Sequence, residues 1–285
     1  MQNIQKPPKL ISLFKLIRLD KPTGVLVLWW PTAWALWIAS DGTISFLWIL
    51  FFLGSFFMRS AGCIWNDISD ADIDKYVKRT ANRPIASGNI SKKEALFFLI
   101  ILLFLAALIA WQLPKAAFQL CLVALMLTGF YPLTKRFFKA PQLFLGLAFS
   151  MAVPIAFAAN DKQTTSAICL TLYLSAVTWP LIYDTIYALS DKKDDAFLNI
   201  HSLPLTLDSN TFLFVDLCQL LFVLLLCYAG YLAEASLIYF VLMASYTLVA
   251  LHQHITLRST TNYQKIFRAY QWLGALIMAG FILGI

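Results

Sequence analysis

Just over half of the acidic residues of this chain fall in two clusters. Eight of the 15 Asp and Glu residues form two groups: Asp67, Asp70, Asp72 and Asp74, then Asp184, Asp191, Asp194 and Asp195. Crowded carboxylates repel one another, so a cation is expected to offset their charge. Carboxylate oxygens are hard ligands that suit Mg²⁺, which completes its shell with water and phosphate oxygens. The clusters therefore indicate a magnesium site.

The spacing within the first cluster predicts one helical face. Asn66, Asp70 and Asp74 follow one another at intervals of four residues, and Cys63 and Arg59, three and seven residues before Asn66, continue the same face upstream. Residues four apart lie on the same side of an α-helix. We therefore expect a metal-binding face at the end of this helix, with Arg59 further along it inside an apolar segment.

The second cluster repeats this arrangement. Asp191 and Asp195 are again four residues apart, and Asp184 precedes them by seven. Two helices that run in the same direction would bring both faces to one end of a bundle. A solvated acidic loop is the alternative, and it explains one cluster more readily than two clusters with matched spacing.

Basic residues accompany the acidic clusters. One run follows the first cluster and another lies beyond the next apolar segment; the residues are Lys75, Lys78, Arg79, Arg83, Lys135, Arg136 and Lys139. Lys and Arg at membrane surfaces commonly set orientation or touch lipid headgroups. Beside a polycarboxylate metal site they also suit a diphosphate group. Arg59 differs because a charge inside an apolar segment points to a functional pocket.

The elements that must position these residues are membrane helices. Hydrophobic residues make up 60% of the 285-residue chain and charged residues only 13%, against roughly a quarter charged in soluble domains. Apolar blocks of this length match the bilayer core. We predict one all-α integral membrane domain over residues 1–285, with nine transmembrane helices bundled around a central cavity. The predicted spans are 23–40, 44–65, 94–112, 116–132, 141–159, 165–187, 211–230, 232–251 and 269–285.

The distribution of Lys and Arg predicts the orientation. Nearly all basic residues lie in one set of loops, and the opposite set carries only Lys115 and Lys162. By the positive-inside rule the N-terminus and both acidic clusters face the cytoplasm. This placement also explains the net charge of +7 without nucleic acid. The five cysteines lie in apolar blocks, and we expect them to be small buried side chains. Neither a disulfide nor a zinc site is therefore expected.

The motifs resemble those of the UbiA-type membrane prenyltransferases. The segment from Asn66 to Asp74 matches the NDxxDxxxD motif of that family, and the segment from Val77 to Pro84 matches the run that follows it. The segment from Asp191 to Asp195 resembles its second motif, DxxxD. These two Asp motifs define the superfamily, and the resemblance covers nearly the whole chain.

Narrower motifs resemble the 4-hydroxybenzoate branch of this family. They are the segment from Arg18 to Gly24, the segment from Tyr183 to Ala188, and Tyr131-Pro132. One departure follows the second motif, where the family usually carries a Gly-x-Lys-Ser-Thr-like stretch. Here the sequence reads Asn-Ile-His-Ser-Leu, so that His201 stands in place of a lysine.

The resemblance implies a reaction and a role for each residue. A polyprenyl chain would pass from polyprenyl diphosphate to the carbon ortho to the hydroxyl of 4-hydroxybenzoate, in ubiquinone biosynthesis. The Mg²⁺ ligands would be Asn66, Asp70 and Asp74 with Asp191 and Asp195. The diphosphate would contact Lys78, Arg79, Arg83 and Lys135. Arg59 or Arg18 would hold the acceptor carboxylate, near Tyr131 and Tyr187. Asp67 or Asp191 would take the ring proton.

Other interpretations share some of these features. The same chemistry on dihydroxynaphthoate, homogentisate or haem stays open. A transporter also carries intramembrane charges, but both acidic clusters are predicted at one face of this chain. A membrane phosphatidyl-alcohol transferase would carry a DGxxAR motif, which is absent. The expected location is a bacterial inner membrane with the site facing the cytoplasm, and the sequence indicates no protein partner.

Overall fold

The structure is a computed structural model that describes residues 8–77, 79–198 and 200–285. All regular secondary structure in these ranges is helical, as predicted. The α-helices are α1 (Lys9–Leu16), α2 (Thr23–Ala39), α3 (Phe46–Ser69), α4 (Ala71–Asp74), α5 (Lys92–Ala110), α6 (Lys115–Thr134), α7 (Pro141–Ser150), α8 (Ala152–Ala159), α9 (Ala167–Ala188), α10 (Lys192–Phe197), α11 (Leu203–Leu207), α12 (Thr211–Leu232), α13 (Leu237–Leu257) and α14 (Tyr263–Gly284).

Eight helical segments within the described ranges are long and apolar enough to cross a membrane. Their composition supports the prediction of an integral membrane protein. The first predicted span corresponds to α2, whose 17 residues span about 25 Å, at the short end of the range for transmembrane helices. The count of nine crossings and the side on which the N-terminus lies stay predictions.

Two predicted spans differ from the observed helices for local reasons. The span at 141–159 divides into α7 and α8 at Met151, because Pro154 has no N–H to donate to the carbonyl of Ser150. The last span begins at Tyr263 rather than near 269. Its start is fixed by Asn262, whose side chain accepts a hydrogen bond from the Lys265 N–H at 3.2 Å.

Aromatic side chains fill the contact between α2, α9, α12 and α14. Trp34 and Trp179 are fully buried there with ring centroids 5.7 Å apart. The Trp179 indole N–H donates to the Val27 carbonyl at 3.0 Å, and the Trp30 indole N–H donates to the Gln271 carbonyl at 2.7 Å. An apolar environment makes such donors costly to leave unpaired. These bonds fix α2 between α9 and α14.

A cavity of about 1020 Å³ lies between the helices, lined by residues of α2 to α10 and of α14. Its walls are polar at one end, where α3 and α9 finish, and mostly apolar elsewhere. This matches the predicted bundle around a central cavity. We call the polar end the mouth; it contains Asp67, Asp70, Asp74, Asp191 and Asp195.

Candidate active site

The cavity brings together nearly all of the sequence-predicted site residues. Those that line it are Arg18, Arg59, Asn66, Asp67, Asp70, Asp74, Arg79, Arg83, Tyr131, Lys135, Tyr187, Asp191 and Asp195. Lys78 lies outside the described residues. Asp72, the fourth acidic residue of the first cluster, points away from the cavity and is 74% exposed, paired with Lys75 and Lys92.

The first motif spans a helix end rather than one continuous helix. α3 finishes at Ser69, and Asp70 joins it to the short α4. The backbone N–H of Asp70 still donates to the Asn66 carbonyl, and that of Asp74 donates to the Asp70 carbonyl, both at 2.8 Å. The three residues, spaced four apart, therefore keep their helical register across the bend, and the side chains of Asn66, Asp70 and Asp74 all line the mouth.

Lys135 binds the first motif from the end of α6. Its ammonium group donates to Asn66 Oδ1 at 2.7 Å and to Asp70 Oδ2 at 2.9 Å. Burial opposes a charge on this lysine, but the Asp70 carboxylate and the nearby Tyr131 together outweigh burial and raise the pKa of Lys135. The structure thus pairs Asp70 with Lys135.

Two arginines converge on Asp67, which is 1% exposed. The Arg18 guanidinium donates to both carboxylate oxygens at 2.7 Å, and Arg83 lies 3.1 Å from one of them. Arg83 also donates to Asp74 at 2.7 Å. Burial raises the pKa of Asp74, while Arg83 acts in the opposite direction. Asp67 thus ties the segment before α2 to the loop after α4.

Arg79 links the loop after the first acidic motif to the second motif. Its guanidinium forms a two-pronged ion pair with Asp191, one arm of which measures 2.7 Å, and donates to the Tyr187 hydroxyl at 2.7 Å. The planar fork of an arginine matches a carboxylate or a phosphate in this way. Asp195 lies on the next turn, where burial and the neighbouring Asp191 charge raise its pKa to about 6. The mouth therefore alternates carboxylates with cations.

The donors at the mouth fit a hard divalent cation. They are carboxylate and amide oxygens from α3, α4 and the segment around α10, and the raised pKa of Asp195 reflects a carboxylate that lacks full compensation. In this structure no group of three His, Cys, Asp or Glu side chains of the described ranges is arranged around a common metal position. The carboxylates instead form ion pairs with Lys135, Arg79 and Arg83. These three cations are also the groups that could bind the oxygens of a diphosphate.

Beyond the mouth most of the cavity wall is apolar. Its walls there come from α3, α5 and α6 and include Leu103, Ala106, Ile109, Phe118 and Leu122. Such a surface accepts a hydrocarbon chain without hydrogen-bonding demands. A ligand with an anionic head and a long apolar tail would match the two parts of the cavity.

One charged group lies deeper than the others. Arg59 sits in α3 about 10 Å along the helix axis from Asn66, and donates to the Gly24 carbonyl at 3.3 Å and to the Cys63 sulfur. The Tyr183 hydroxyl lies in the same part of the cavity, is buried and has no hydrogen-bond partner among the described residues. The sequence assigned no role to Tyr183, although it begins one of the segments that resemble the 4-hydroxybenzoate branch.

The segment after the second motif also reaches the cavity. The backbone N–H of His201 donates to the Lys135 carbonyl at 3.0 Å, and His201 lines the wall. Gln142 of α7, another residue that sequence reasoning missed, accepts a hydrogen bond from the Leu203 N–H at 3.1 Å. These bonds tie the segment to α6 and α7.

Comparisons with known proteins agree with this geometry. The model of the UbiA prenyltransferase family matches residues 28–279. A Tolumonas auensis protein named 4-hydroxybenzoate octaprenyltransferase is 39% identical over 274 residues, which cover 95% of each chain. A solved UbiA homologue from Aeropyrum pernix superposes with a TM-score of 0.79 at 23% identity, over 91% of this chain and 97% of that one. Another from Archaeoglobus fulgidus, bound to GPP and Mg²⁺, has a TM-score of 0.75 at 19% identity, over 95% and 98%.

Proposed function

Because the chain belongs to the UbiA prenyltransferase family, we propose that it transfers a polyprenyl group from polyprenyl diphosphate to 4-hydroxybenzoate. The new bond would form at the ring carbon ortho to the hydroxyl, with release of diphosphate, as a step of ubiquinone biosynthesis. The name of the Tolumonas auensis relative supports this acceptor. The observation that carries the proposal is the cavity itself, which joins a mouth of alternating carboxylates and cations to an apolar interior.

The mouth would bind the diphosphate. Arg79, Arg83 and Lys135 are placed to donate charge-assisted hydrogen bonds to its oxygens, with Lys78 as a further candidate from the sequence. Asn66, Asp70 and Asp74 would hold one Mg²⁺, and Asp191 with Asp195 a second. Bound there, Mg²⁺ would neutralise the charge that develops on the leaving diphosphate. The Mg²⁺-bound Archaeoglobus fulgidus homologue supports this requirement.

The acceptor would lie on the interior side of the mouth. We propose that Arg59 holds its carboxylate and that Tyr131 and Tyr187 flank its ring; Arg18, the other candidate, already binds both oxygens of Asp67. The allylic cation formed by C–O cleavage would be stabilised by neighbouring aromatic faces. Asp191, which one arginine holds, is a better candidate for the base that takes the ring proton than Asp67, which two arginines hold.

The membrane setting completes the proposal. We propose that residues 1–285 are one domain in the inner membrane of a bacterium, with the mouth on the cytoplasmic side. This orientation follows from the placement of Lys and Arg in the sequence. It allows a water-soluble acceptor to enter from the cytoplasm, while the prenyl chain stays in an apolar surrounding.

A product assay tests the function. Membranes that contain the protein are supplied with polyprenyl diphosphate, Mg²⁺ and radiolabelled 4-hydroxybenzoate, and a lipid-soluble labelled product is expected that disappears with a chelator. Asp70→Asn should lower the rate by orders of magnitude, whereas Asp72→Asn, its exposed neighbour outside the cavity, should leave it unchanged. Absence of product from correctly inserted wild-type protein, when dihydroxynaphthoate or homogentisate gives product instead, would reassign the acceptor.

A further inference from the structure

A second cluster of charged side chains lies outside the cavity, where α12, α13 and α14 meet at the mouth end of the bundle. Asp216 stands on the second turn of α12. One of its carboxylate oxygens is 2.8 Å from His254 Nδ1 of α13, and the other forms an ion pair with Arg258, directly after α13. None of these three residues lines the cavity. A charge inside an apolar helix is unfavourable and points to a functional role.

Hydrogen-bond chemistry gives each ring nitrogen of His254 one role. The Asp216 carboxylate, which is paired with an arginine, can only accept, so His254 Nδ1 carries a proton and donates it. The second nitrogen of a neutral imidazole is then an acceptor. The Tyr270 hydroxyl of α14 lies 3.4 Å from His254 Nε2 and is its donor. His254, which is 3% exposed, therefore joins α12 to α14. We call the contact of Asp216, His254 and Tyr270 the clasp.

The clasp connects to the mouth through aromatic side chains. Phe267 stands three residues before Tyr270, on the same side of α14. Its ring centroid is 4.9 Å from that of Tyr187 at the end of α9. The Tyr187 hydroxyl in turn accepts a hydrogen bond from Arg79 at 2.7 Å, and the Arg79 guanidinium carbon lies 4.9 Å from the Tyr187 ring centroid. A shift of α14 would therefore change the support of Arg79.

The start of α14 is held from a second side by α2. The Thr23 hydroxyl donates to the Gln271 side-chain oxygen at 2.9 Å, and the Trp30 indole N–H donates to the Gln271 carbonyl at 2.7 Å. Gln271 follows Tyr270 directly in the chain. The bonds from α2 and the bond from His254 thus act on one turn of α14, and loss of either set leaves the other to fix its position alone.

We propose that His254 is a positioning residue of the diphosphate site. The clasp fixes α14 against α9, so that Tyr187 keeps the Arg79 guanidinium directed toward the mouth. This role rests on the proposed function, which assigns Arg79 to the diphosphate. His254 itself lies outside the cavity, so it acts only through the residues between it and Arg79.

Binding of inorganic diphosphate with Mg²⁺ to the purified full-length protein, measured by calorimetry, tests the clasp. His254→Asn keeps an amide N–H for Asp216 but loses the bond to Tyr270, and Tyr270→Phe removes only the hydroxyl. We expect each variant to weaken diphosphate binding about fivefold, the worth of one hydrogen bond, and the double variant to be no weaker than either. The KM for polyprenyl diphosphate should rise by the same factor, whereas kcat and the KM for 4-hydroxybenzoate should not change.

Tyr246→Phe is the matched control. The Tyr246 hydroxyl of α13 accepts a hydrogen bond from the Gln219 amide of α12 at 2.8 Å. This variant therefore removes a buried hydroxyl between α12 and α13 without breaking a bond to α14, and its diphosphate affinity should equal that of wild type. Lower thermal midpoints of His254→Asn and Tyr270→Phe with unchanged diphosphate affinity would overturn the positioning role. An equal loss of affinity in Tyr246→Phe would overturn it as well.

A variant at Phe267 tests the route from the clasp to the mouth. In a Phe267→Ala background, His254→Asn should weaken diphosphate binding no further, because the contact between α14 and Tyr187 is already lost. A further fivefold loss in that background would overturn the route.

Turnover separates failure of the clasp from failure of the proposed function. Weaker diphosphate binding by His254→Asn, in a protein whose wild type forms no product from 4-hydroxybenzoate, would support the clasp and refute the proposed acceptor. Product formation by wild type, with wild-type diphosphate affinity in His254→Asn and Tyr270→Phe, would overturn the clasp alone. Absence of diphosphate binding by the wild type would overturn both.

Discussion

Replacing Asp67 by asparagine should damage the fold more than the chemistry. Asp67 accepts hydrogen bonds from Arg18 at 2.7 Å and lies 3.1 Å from Arg83. Asparagine keeps the shape but loses the charge and turns an N–H₂ group toward two donors. Breaking a buried ion pair from one side costs about 3–5 kcal/mol of folding free energy. The side chains of Arg18 and Arg83 are 17% and 19% exposed. Because water partly screens their charges, we expect a cost near the lower value. At 2–4 °C per kcal/mol, a loss of about 3 kcal/mol lowers the thermal midpoint by roughly 6–12 °C.

The assay is thermal unfolding of purified protein in detergent, followed by initial rates well below the midpoint. Asp72→Asn is the control, because Asp72 is 74% exposed and its ion pairs are open to solvent; its midpoint should not change. We expect Asp67→Asn to retain measurable turnover below its lowered midpoint. A wild-type midpoint combined with loss of turnover would refute this reasoning and return Asp67 to the role of the base.

Three further substitutions test the mouth and the helix packing. Lys135→Met should lower kcat/KM for polyprenyl diphosphate roughly 10- to 100-fold in steady-state assays, since the donor that reaches Asp70 is removed; a change confined to the acceptor KM would contradict it. Arg79→Lys should lower the same ratio about tenfold because lysine lacks the fork that holds Asp191, and full activity would show that a point charge suffices. Gly274→Ala should destabilise the protein by about 1–3 kcal/mol, measured by thermal unfolding, because its Cβ would lie 2.1 Å from a Trp30 ring atom; an unchanged midpoint would mean that the indole moves freely.

Local spacing explains what the sequence predicted well. Apolar blocks of bilayer length located eight helical segments within a few residues, and the intervals between Asn66, Asp70 and Asp74 placed these side chains at one wall of the cavity. Both signals depend on the geometry of a single helix. The four-residue spacing predicted the shared wall correctly because the helical register continues through the bend at Asp70, where backbone hydrogen bonds of 2.8 Å lie on either side.

The second acidic motif shows where local spacing fails. α9 ends at Ala188 and α10 begins at Lys192, so Asp184 and Asp191 do not share one helix face as the interval of seven residues suggested. Both residues nevertheless line the cavity. Nothing in the residue types between them predicts a break, and its position is set by the packing of the short helices after α9.

Which cation faces which carboxylate depends on contacts between distant parts of the chain. Arg18 and Asp67 are 49 residues apart, and Arg79 and Asp191 are 112 apart. The sequence left Arg18 and Arg59 as equal candidates for the acceptor carboxylate. The structure distinguishes the two arginines. The Arg18 guanidinium donates to both oxygens of an almost fully buried carboxylate. Arg59 faces the cavity and forms no ion pair with a carboxylate of the described residues. Those ion pairs therefore give Arg18 a structural role at the mouth, and Arg59 stays the proposed ligand of the acceptor carboxylate.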